Sequence, residues 1–558
     1  MRQMGMNPFV PKPRLCRAVI ALLAVLVWGG TVKYDFVWDD HYFIIENEAI
    51  RSLKHVPAMF YSRTAEASHP GDFPNFRPLR NVAYAVLFQL GGKAAPQPWV
   101  FHLANVLGHA AAAMLVFSVA ALLFLPAGEG PARWAALWTG AAFAVHPAAS
   151  EVVCWAKSLD DILAAIFVLA AARQLLLWRG ERRRMAAALA FFALAVCSKE
   201  SAVPFAGLVF FLWRACHKLP WKRCAMLTAP FLLVAAMYAA QRQWVLGQAA
   251  QCAPISGSYG QTLMDTIPAA AIYFRLLWGV PPFSIDYADM RGHLPFLSFS
   301  VMTGLLILLL WAAATWTAWR AEKFRLSAPG LLWLAFFLLP VSNLLPMMQY
   351  LAERFLYLPM IGCLLALGAW LMCAWPRRAA FVLAAALLAA WIPVSLARQG
   401  IWRDEVTLFV RSTLDNPANK RLRQNAVASI FRLPQIHSAF GLDDTGRHLT
   451  ADPAMPRSQG EAMLPTLLQA HQLLPGEHRI TAALAISYAV AGRISNAIPF
   501  LELAARQDPN DVQCWIDLGS AYALQHHAAQ ARQAWKTALR LDPTNRLILE
   551  RLAALNEK

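Results

Sequence analysis

The chain has 558 residues, of which 58% are hydrophobic and 15% are charged, and its mean hydropathy is +0.42. A soluble domain is usually about 45–50% apolar and about 25% charged, so this composition excludes a protein that is water-soluble over its whole length. The net charge of +17 does not indicate a nucleic-acid partner, because much of the Lys and Arg lies in short loops between apolar runs. Such basic loops, at 179–184, 218–223, 320–325 and 377–378, are the topology determinants of membrane proteins.

The apolar runs predict a polytopic membrane domain over residues 1–400. With the basic loops in the cytoplasm and alternating crossings, about eleven spans are expected. They are predicted near 18–31, 98–124, 134–146, 151–178, 185–197 and 201–213, then one ending near Gln241, and near 298–318, 329–345, 353–375 and 379–397. The first run follows a basic N-terminus without a cleavage site, so it is interpreted as a retained helix.

Two segments, 33–97 and 242–297, are predicted to lie outside. Within the second, 263–283 is long enough to cross, but counting it would place the basic loop at 320–325 outside. It is therefore interpreted as a re-entrant or interfacial helix. The odd number of crossings predicts an outer C-terminus.

Beyond residue 400 the composition becomes that of a soluble helical protein with an internal repeat. Pro475, Pro509 and Pro543 are 34 residues apart, which is the tetratricopeptide period. The last repeat fills every position of the repeat pattern, with Trp515, Leu518, Gly519, Tyr522, Ala531, Trp535, Ala538 and Pro543. About three stacked repeats are needed for stability, so residues 407–419 and 424–431 are expected to join the stack. Residues 401–558 are thus predicted to form a tetratricopeptide-repeat α-solenoid with a concave protein-binding surface.

Polar residues collect at the predicted outer ends of the spans. They are Asp39, Asp40, Arg77, His102, His146, Glu151, Lys199, Glu200, Asp286, Tyr287, Glu353 and Arg354. Ionisable residues at membrane depth cost several kcal/mol unless they line a polar cavity, so an outward-facing cavity is predicted. A carboxylate there can orient or deprotonate an acceptor hydroxyl, and Arg or Lys can neutralise a departing phosphate. A sugar carried on a lipid phosphate would need both.

Each of these groups also has a structural interpretation. Asp39 and Asp40 could form a solvated helix flank, and Glu353 and Arg354 could form an interfacial ion pair. Lys199 and Glu200 could be a snorkelling pair. The two histidines could be core residues whose hydrogen bonds are satisfied. Asp160 and Asp161, with Lys157 one turn away, are expected to form a buried network. No zinc-type or phosphate-loop motif occurs in the sequence. No cofactor is therefore expected to be required; a divalent metal is possible but is not indicated.

The order of motifs along the chain resembles that of one family. W-D-D at 38–40, F-R-P-L at 76–79, H-P-x-x-x-E at 146–151, S-K-E at 198–200, S-I-D-Y at 284–287 and A-E-R-F-L-Y-L-P at 352–359 precede W-R-D-E-V-T-L-F at 402–409 and the repeats. This order resembles the transmembrane and tetratricopeptide-repeat-containing O-mannosyltransferases and their bacterial relatives. These belong to the GT-C superfamily of polyprenyl-phosphate-sugar-dependent glycosyltransferases, and the resemblance covers nearly the whole chain.

The resemblance implies roles for the outer residues. Asp39 or Asp40 matches the catalytic acidic position, and Glu151 is a further catalytic candidate. Arg354, Lys199 and Arg77 are the donor-phosphate candidates. The other expected cavity residues are His102, His146, Glu200, Asp286, Tyr287 and Glu353.

One position departs from the family pattern. Bacterial relatives tend to carry a basic residue just before the aspartate of the fourth span, whereas here Leu159 and Asp160 precede Asp161. Lys157 is two residues away and, on a continuous helix, would occupy a different face.

The resulting hypothesis is an all-α, GT-C-like membrane enzyme of a bacterial inner membrane, with a periplasmic repeat domain. It would transfer a sugar with inversion from a polyprenyl-phosphate donor to Ser or Thr of exported protein, with the repeats recruiting the acceptor. Two alternatives stay open, namely the same donor chemistry with a lipid or glycan acceptor, and a non-enzymatic repeat scaffold. A transporter is disfavoured because the polar residues lie at the outer surface and not at mid-membrane.

Overall fold

Helix boundaries in the N-terminal part follow local chemistry. Proline occupies the first turn of the helices that begin at Pro13, Pro78 and Pro98, where its missing N–H would be unpaired anyway. The helix that begins at Trp221 ends at Leu246 and is capped by Gly247, whose left-handed backbone (φ 73°) closes a helix without a Cβ penalty. The sequence therefore sets many of the boundaries locally.

The computed structural model describes residues 11–63, 75–92, 95–247, 257–287, 298–344, 347, 349, 351–371, 377–442, 449–451 and 455–556. The chain divides into two units, Met1–Leu408 and Phe409–Lys558. The helices of the first unit are α1 (Pro13–Trp28), α2 (Pro78–Gly91), α3 (Pro98–Leu123), α4 (Glu129–Val145), α5 (Ser150–Cys154), α6 (Leu159–Leu177), α7 (Arg182–Ser198), α8 (Phe205–His217), α9 (Trp221–Leu246), α10 (Tyr259–Thr266), α11 (Ala269–Leu277), α12 (Phe299–Arg320), α13 (Ala328–Leu338), α14 (Tyr357–Ala369) and α15 (Arg377–Gln399). Helix α16 (Glu405–Asp415) crosses the boundary between the units.

Six helices of the described residues are long and apolar enough to cross a membrane: Pro13–Lys33, Pro98–Leu123, Trp221–Leu246, Phe299–Arg320, Phe324–Val341 and Arg378–Trp402. The remaining predicted spans coincide with α4, α6, α7, α8 and α14, which are shorter or, in α6, carry two aspartates in the first turn. The prediction of an all-α, polytopic membrane fold is confirmed.

The segment 263–283 forms no single helix. Helices α10 and α11 are 8 and 9 residues long, whereas a transmembrane helix needs about 20 residues. Whether this segment enters the membrane stays a prediction.

The predicted fourth span is wrong as one continuous helix. The chain forms α5, a 3-10 turn at Ala156–Ser158, and then α6. The break falls at Trp155, whose backbone is extended (φ −93°, ψ 116°). Its carbonyl accepts a hydrogen bond from Asn105 Nδ2 at 2.8 Å, so a tertiary contact replaces the helical one.

Close packing inside this unit depends on glycine where α13 crosses α14. A Cβ on Gly330 would lie 2.6 Å from the Gly362 carbonyl oxygen, and one on Gly362 would lie 2.5 Å from the Gly330 oxygen. Small residues of this kind let helix backbones approach each other in membranes.

The second unit contains α17 (Lys420–Phe431), α18 (Pro434–His437), α19 (Arg457–Leu473), α20 (His478–Val490), α21 (Ile494–Gln507), α22 (Val512–Leu524), α23 (Ala528–Leu541) and α24 (Arg546–Asn556). Between α18 and α19, strands β1 (Phe440–Leu442) and β2 (Leu449–Ala451) pair antiparallel, with Phe440 opposite Ala451. This hairpin is absent from the all-α prediction.

Helices α19 to α23 pack consecutively. Tyr522 and Trp535 are buried, Trp515 and Leu539 are partly buried against the same core, and Trp535 Nε1 donates to the Ile516 carbonyl at 3.1 Å. A Cβ on Gly519 would collide with the Trp535 ring. The tetratricopeptide assignment and the predicted boundary at 400/401 stay predictions.

Candidate active site

The loop after α1 carries the two aspartates in different environments. Asp40 is fully buried, and its Oδ2 and Oδ1 accept the backbone N–H groups of Val37 (2.9 Å) and Lys157 (2.8 Å). Burial raises the pKa of Asp40 to about 7, against the effect of these two donors. The Asp39 side chain is 20% exposed, and its Oδ2 lies 3.1 Å from Lys157 Nζ. The structure thus separates two neighbours that the sequence left equivalent, because only Asp39 is open to an incoming group.

The Trp155 indole contacts the cations of this site. Its ring stacks on Trp38 with centroids 4.9 Å apart, and Trp38 has a left-handed backbone (φ 56°). Lys157 Nζ lies 4.3 Å from the Trp155 ring centroid, and Arg354 Cζ lies 5.4 Å from it. Both distances are within cation–π range. The indole therefore contacts two cations, of which Lys157 also contacts Asp39.

Lys157 was misplaced by the assumption of a continuous helix. It belongs to the 3-10 turn that precedes α6, so helical face arguments do not apply to it. Its carbonyl accepts the Tyr84 hydroxyl at 2.5 Å, which holds the turn. No local pattern in the sequence signals this position, because the helix break at Trp155 depends on the contact from Asn105.

Glu151 and Arg354 form one unit. Glu151 is fully buried. Its Oε2 accepts the Arg354 backbone N–H at 2.8 Å, and its Oε1 accepts the Arg354 guanidinium. We call Asp39, Glu151, Trp155, Lys157 and Arg354 the Trp155 cluster.

Glu353 does not pair with its neighbour Arg354, so the interpretation of these two as an ion pair is wrong. Adjacent residues point in different directions, and Glu353 Oε2 lies 2.5 Å from a guanidinium nitrogen of Arg398. Its Oε1 accepts the Ser284 N–H (2.8 Å) and the Tyr287 hydroxyl (3.1 Å). Sequence reasoning missed Arg398, which directly follows the predicted span 379–397 and was not counted among the polar residues at the outer ends of the spans.

Asp286 is buried beside this group, and its backbone N–H lies 3.3 Å from the Ser284 hydroxyl oxygen. The 284–287 segment is therefore a brace for Glu353, with Tyr287 as its direct contact.

A second group, which we call the Asp160 cluster, contains Arg77, Asp160, Asp161, Lys199 and Glu200. Arg77 donates to Asp160 at 2.7 Å and to both oxygens of Glu200, at 3.0 and 2.5 Å. Lys199 Nζ lies 2.5 Å from Asp161 and 3.6 Å from Asp160. The buried network expected around the two aspartates is present, but its cations are Arg77, Lys199 and, at 3.9 Å from Asp160, Arg80, and not Lys157.

Lys199 and Glu200 do not pair with each other either, so their interpretation as a snorkelling pair is wrong. Burial opposes ionisation of Glu200, but the Arg77 guanidinium outweighs it and lowers the pKa of Glu200 to about 2. Two of the phosphate candidates, Arg77 and Lys199, are thus each neutralised by two carboxylates.

The two histidines contact backbone. His102 Nε2 lies 3.3 Å from the Asp35 carbonyl oxygen. His146 Nδ1 accepts the Ala148 N–H, which leaves Nε2 to donate to the Leu277 carbonyl at 3.1 Å. Both are buried, but only His146 is satisfied at both ring nitrogens, because within the described residues His102 Nδ1 has no hydrogen-bond partner. Within the described residues, no group of three or more His, Cys, Asp or Glu is placed to hold a metal ion.

Known proteins similar to this chain are transferases. No family model matches it. It is 29% identical to the human (Homo sapiens) protein O-mannosyl-transferase TMTC2 over 160 residues, which are 28% of this chain and 18% of that protein. It is 30% identical to Drosophila melanogaster Tmtc1 over 153 residues (27% and 16%). It is 21% identical to Mus musculus TMTC3 over 608 aligned positions, covering 94% of this chain and 64% of TMTC3. The chain therefore spans less than two thirds of the length of these relatives.

Two solved structures are also similar. One is the oligosaccharyltransferase AglB of Archaeoglobus fulgidus in complex with an inhibitory peptide and a dolichol-phosphate, with a TM-score of 0.40, 14% identity, and coverage of 80% of this chain and 61% of that one. The other is ArnT from Cupriavidus metallidurans bound to undecaprenyl phosphate, with a TM-score of 0.33, 16% identity, and coverage of 89% and 80%. Both TM-scores are below 0.5, so neither similarity supports a further conclusion.

Proposed function

We propose that this chain, a relative of the TMTC protein O-mannosyl-transferases, is a membrane glycosyltransferase. It transfers a sugar from a polyprenyl-phosphate donor to Ser or Thr hydroxyls of protein at the outer face of the membrane. The observation that carries the proposal is the Trp155 cluster, in which the partly exposed Asp39 carboxylate lies beside two cations that share one indole.

The cluster supplies what an inverting transfer needs. The acceptor oxygen forms a bond to C1 of the sugar while its proton passes to Asp39. The bond from C1 to the phosphate oxygen breaks, and the phosphate leaves with the electron pair. General-base assistance of this kind is worth about 10²–10⁴-fold, and cations at the leaving phosphate stabilise the charge that develops there.

The other predicted residues receive supporting roles in this proposal. Asp40 ties the 38–40 loop to the 156–158 turn, and Glu151 orients Arg354, so neither acts as the base. Arg77 and Lys199 stabilise the Asp160 cluster. Glu353, Tyr287 and Arg398 brace the 284–287 segment against the 353–354 turn.

The location and the acceptor belong to the same proposal. A bacterial inner membrane, a periplasmic C-terminus and recruitment of acceptor protein by the repeats agree with the basic-loop pattern and with the packed helices α19–α23. A lipid or glycan acceptor would use the same Trp155 cluster, whereas a scaffold would not need an accessible Asp39.

The test is transfer by the purified full-length protein in detergent. Wild type and Asp39→Asn are incubated with a panel of polyprenyl-phosphate sugars and with peptide, lipid and glycan acceptors. Wild type should glycosylate peptide hydroxyls, and Asp39→Asn should lose about 10²–10⁴-fold in rate with an unchanged melting temperature. Full transfer by Asp39→Asn, or no transfer by wild type to any acceptor, would contradict the proposal.

A further inference from the structure

Lys157 differs from the other cations around the site in the number of its partners. Arg77 meets Asp160 and Glu200, Lys199 meets Asp160 and Asp161, Arg354 meets Glu151 and Gln349, and Arg398 meets Glu353 and Ser150. Within the described residues, Lys157 Nζ has a single hydrogen-bond acceptor, Asp39 Oδ2. An ammonium group carries three donors, so within the described residues Lys157 keeps two of them for a further anion.

The Lys157 ammonium is also placed beside a second cation. It shares the Trp155 ring with Arg354, and the side chains of Lys157 and Arg354 are 9% and 11% exposed. An anion bound where these two cations meet the indole would contact both charges. Within the described residues, one carboxylate forms an ion pair with Lys157, and it is that of Asp39. The Asp39 side chain is 20% exposed, so an incoming anion can compete with it for Lys157.

We propose that Lys157 exchanges partners during the reaction, pairing with Asp39 when no donor is bound and with the donor phosphate, together with Arg354, when it is. This inference rests on the proposed function and adds a ligand that the family pattern did not point to in this sequence. The exchange leaves the Asp39 carboxylate without its ion pair at the moment when the acceptor hydroxyl needs a hydrogen-bond acceptor. Donor binding thus prepares the base.

The charges balance through the step. A sugar on a polyprenyl phosphate is a diester with one negative charge. When the C1–O bond breaks, the phosphate keeps the electron pair and gains a second charge. Lys157 and Arg354 supply two positive charges to this group, and the acceptor proton moves to Asp39. The same pair of cations therefore suits the product better than the substrate, which favours cleavage.

The exchange predicts that removing the Asp39 charge increases the affinity for the donor phosphate through Lys157, an effect that a purely structural lysine would not produce. If Asp39 and phosphate compete for Lys157, then Asp39→Asn should bind undecaprenyl phosphate more tightly than wild type, by about threefold to tenfold, because a partly exposed ion pair no longer competes. Lys157→Met should bind it about tenfold to a hundredfold more weakly, since a charge-assisted contact is lost. In the double variant the gain from Asp39→Asn should disappear.

The experiment measures binding of undecaprenyl phosphate to the full-length protein in detergent for wild type, Asp39→Asn, Lys157→Met, Lys157→Arg and the double variant. Lys54→Met is the matched control, because Lys54 is exposed in the same outer segment, and it should bind as wild type does. Lys157→Arg should restore most of the binding. Undecaprenol, which lacks the phosphate, should show no dependence on residue 157.

Unchanged or weaker binding by Asp39→Asn would overturn the exchange, and this holds even if Lys157→Met fails to fold. A gain from Asp39→Asn that persists in the Lys157→Met background would also overturn it. The proposed function is tested separately by transfer. If wild type transfers sugar but the effects of residues 39 and 157 on undecaprenyl phosphate binding are independent, only the exchange is refuted. If the two effects on binding are coupled but no transfer occurs, only the proposed function is refuted.

Discussion

Arg354 satisfies both carboxylate oxygens of Glu151, one with its backbone N–H at 2.8 Å and the other with its guanidinium, across 203 residues of sequence. The backbone contact fixes the position of residue 354, and the side-chain contact fixes the direction of its charge. A carboxylate that the sequence offered as catalytic is thereby used to hold a cation in place.

This relationship predicts the behaviour of Arg354→Ala. Removing the guanidinium leaves Glu151 buried without its charge partner, which should lower the stability of the membrane unit by about 3–5 kcal/mol. Donor binding should weaken along with turnover, because a charge-assisted contact is lost in the ground state too. Thermal unfolding and donor binding measure the two effects.

Glu151→Gln combined with Arg354→Met is the control for that variant. It removes both charges, so stability should largely return while donor binding stays weak. Recovery of binding together with stability would show that Arg354 has no contact with the donor.

Asp39 and Asp40 should respond differently to the same substitution. Asp39→Asn keeps the shape of a partly exposed side chain, so the protein should melt normally and lose transfer. Asp40→Asn places an amide NH₂ against one of two backbone N–H donors. The buried group that is left without a partner should lower the free energy of unfolding by about 1–3 kcal/mol. Single-turnover transfer and melting temperature, measured on both variants, separate the roles. If Asp40→Asn melted normally but lost transfer, Asp40 and not Asp39 would be assigned as the base.

Glu200 should contribute to the acid sensitivity of the protein. Its folded-state pKa of about 2 lies below the ordinary value of 4.5, so the ionised form is favoured by folding. The stability it provides is present above pH 4.5 and is lost as the pH falls towards 2. Glu200→Gln should therefore flatten the melting-temperature profile between pH 4.5 and 2.5. Glu322→Gln, at an exposed position, should leave the profile unchanged, and a Glu200→Gln profile identical to wild type would contradict the argument.

Trp535→Ala tests the helix stack of the second unit. The indole is buried against Gly519, and its loss should cost about 3–5 kcal/mol. Limited proteolysis of the full-length protein should then cut residues 409–558 sooner. Leu524→Ala is the control, because Leu524 is 65% exposed. Equal resistance of both variants would mean that the repeat register is wrong.

Topology is tested by labelling single cysteines in a cysteine-free background. Gln469→Cys, at an exposed position in α19, should react with an impermeant reagent from the outer side. Arg182→Cys, in the basic 179–184 loop, should react only after the membrane is opened. The reverse pattern would overturn the predicted orientation and, with it, the outer location of Asp39.

The sequence predicted what depends on local pattern and missed what depends on tertiary contacts. Hydropathy and basic loops predicted the helices of the membrane unit, and the predicted resemblance to the O-mannosyltransferases is confirmed by the similar proteins. The break at Trp155 was not predictable, because it is stabilised by Asn105 from another helix. For the same reason Lys157 was placed on the wrong face, and Glu353 was given the wrong partner.

The Asp40 carboxylate, by accepting one N–H from its own loop and one from the 156–158 turn, has a kinetic consequence. It locks two distant segments together before any substrate arrives, so the entropy of ordering them is lost once, at folding, and not in every turnover. Substrates then meet a preorganised site, in which the Lys157 side chain is the group that has to move.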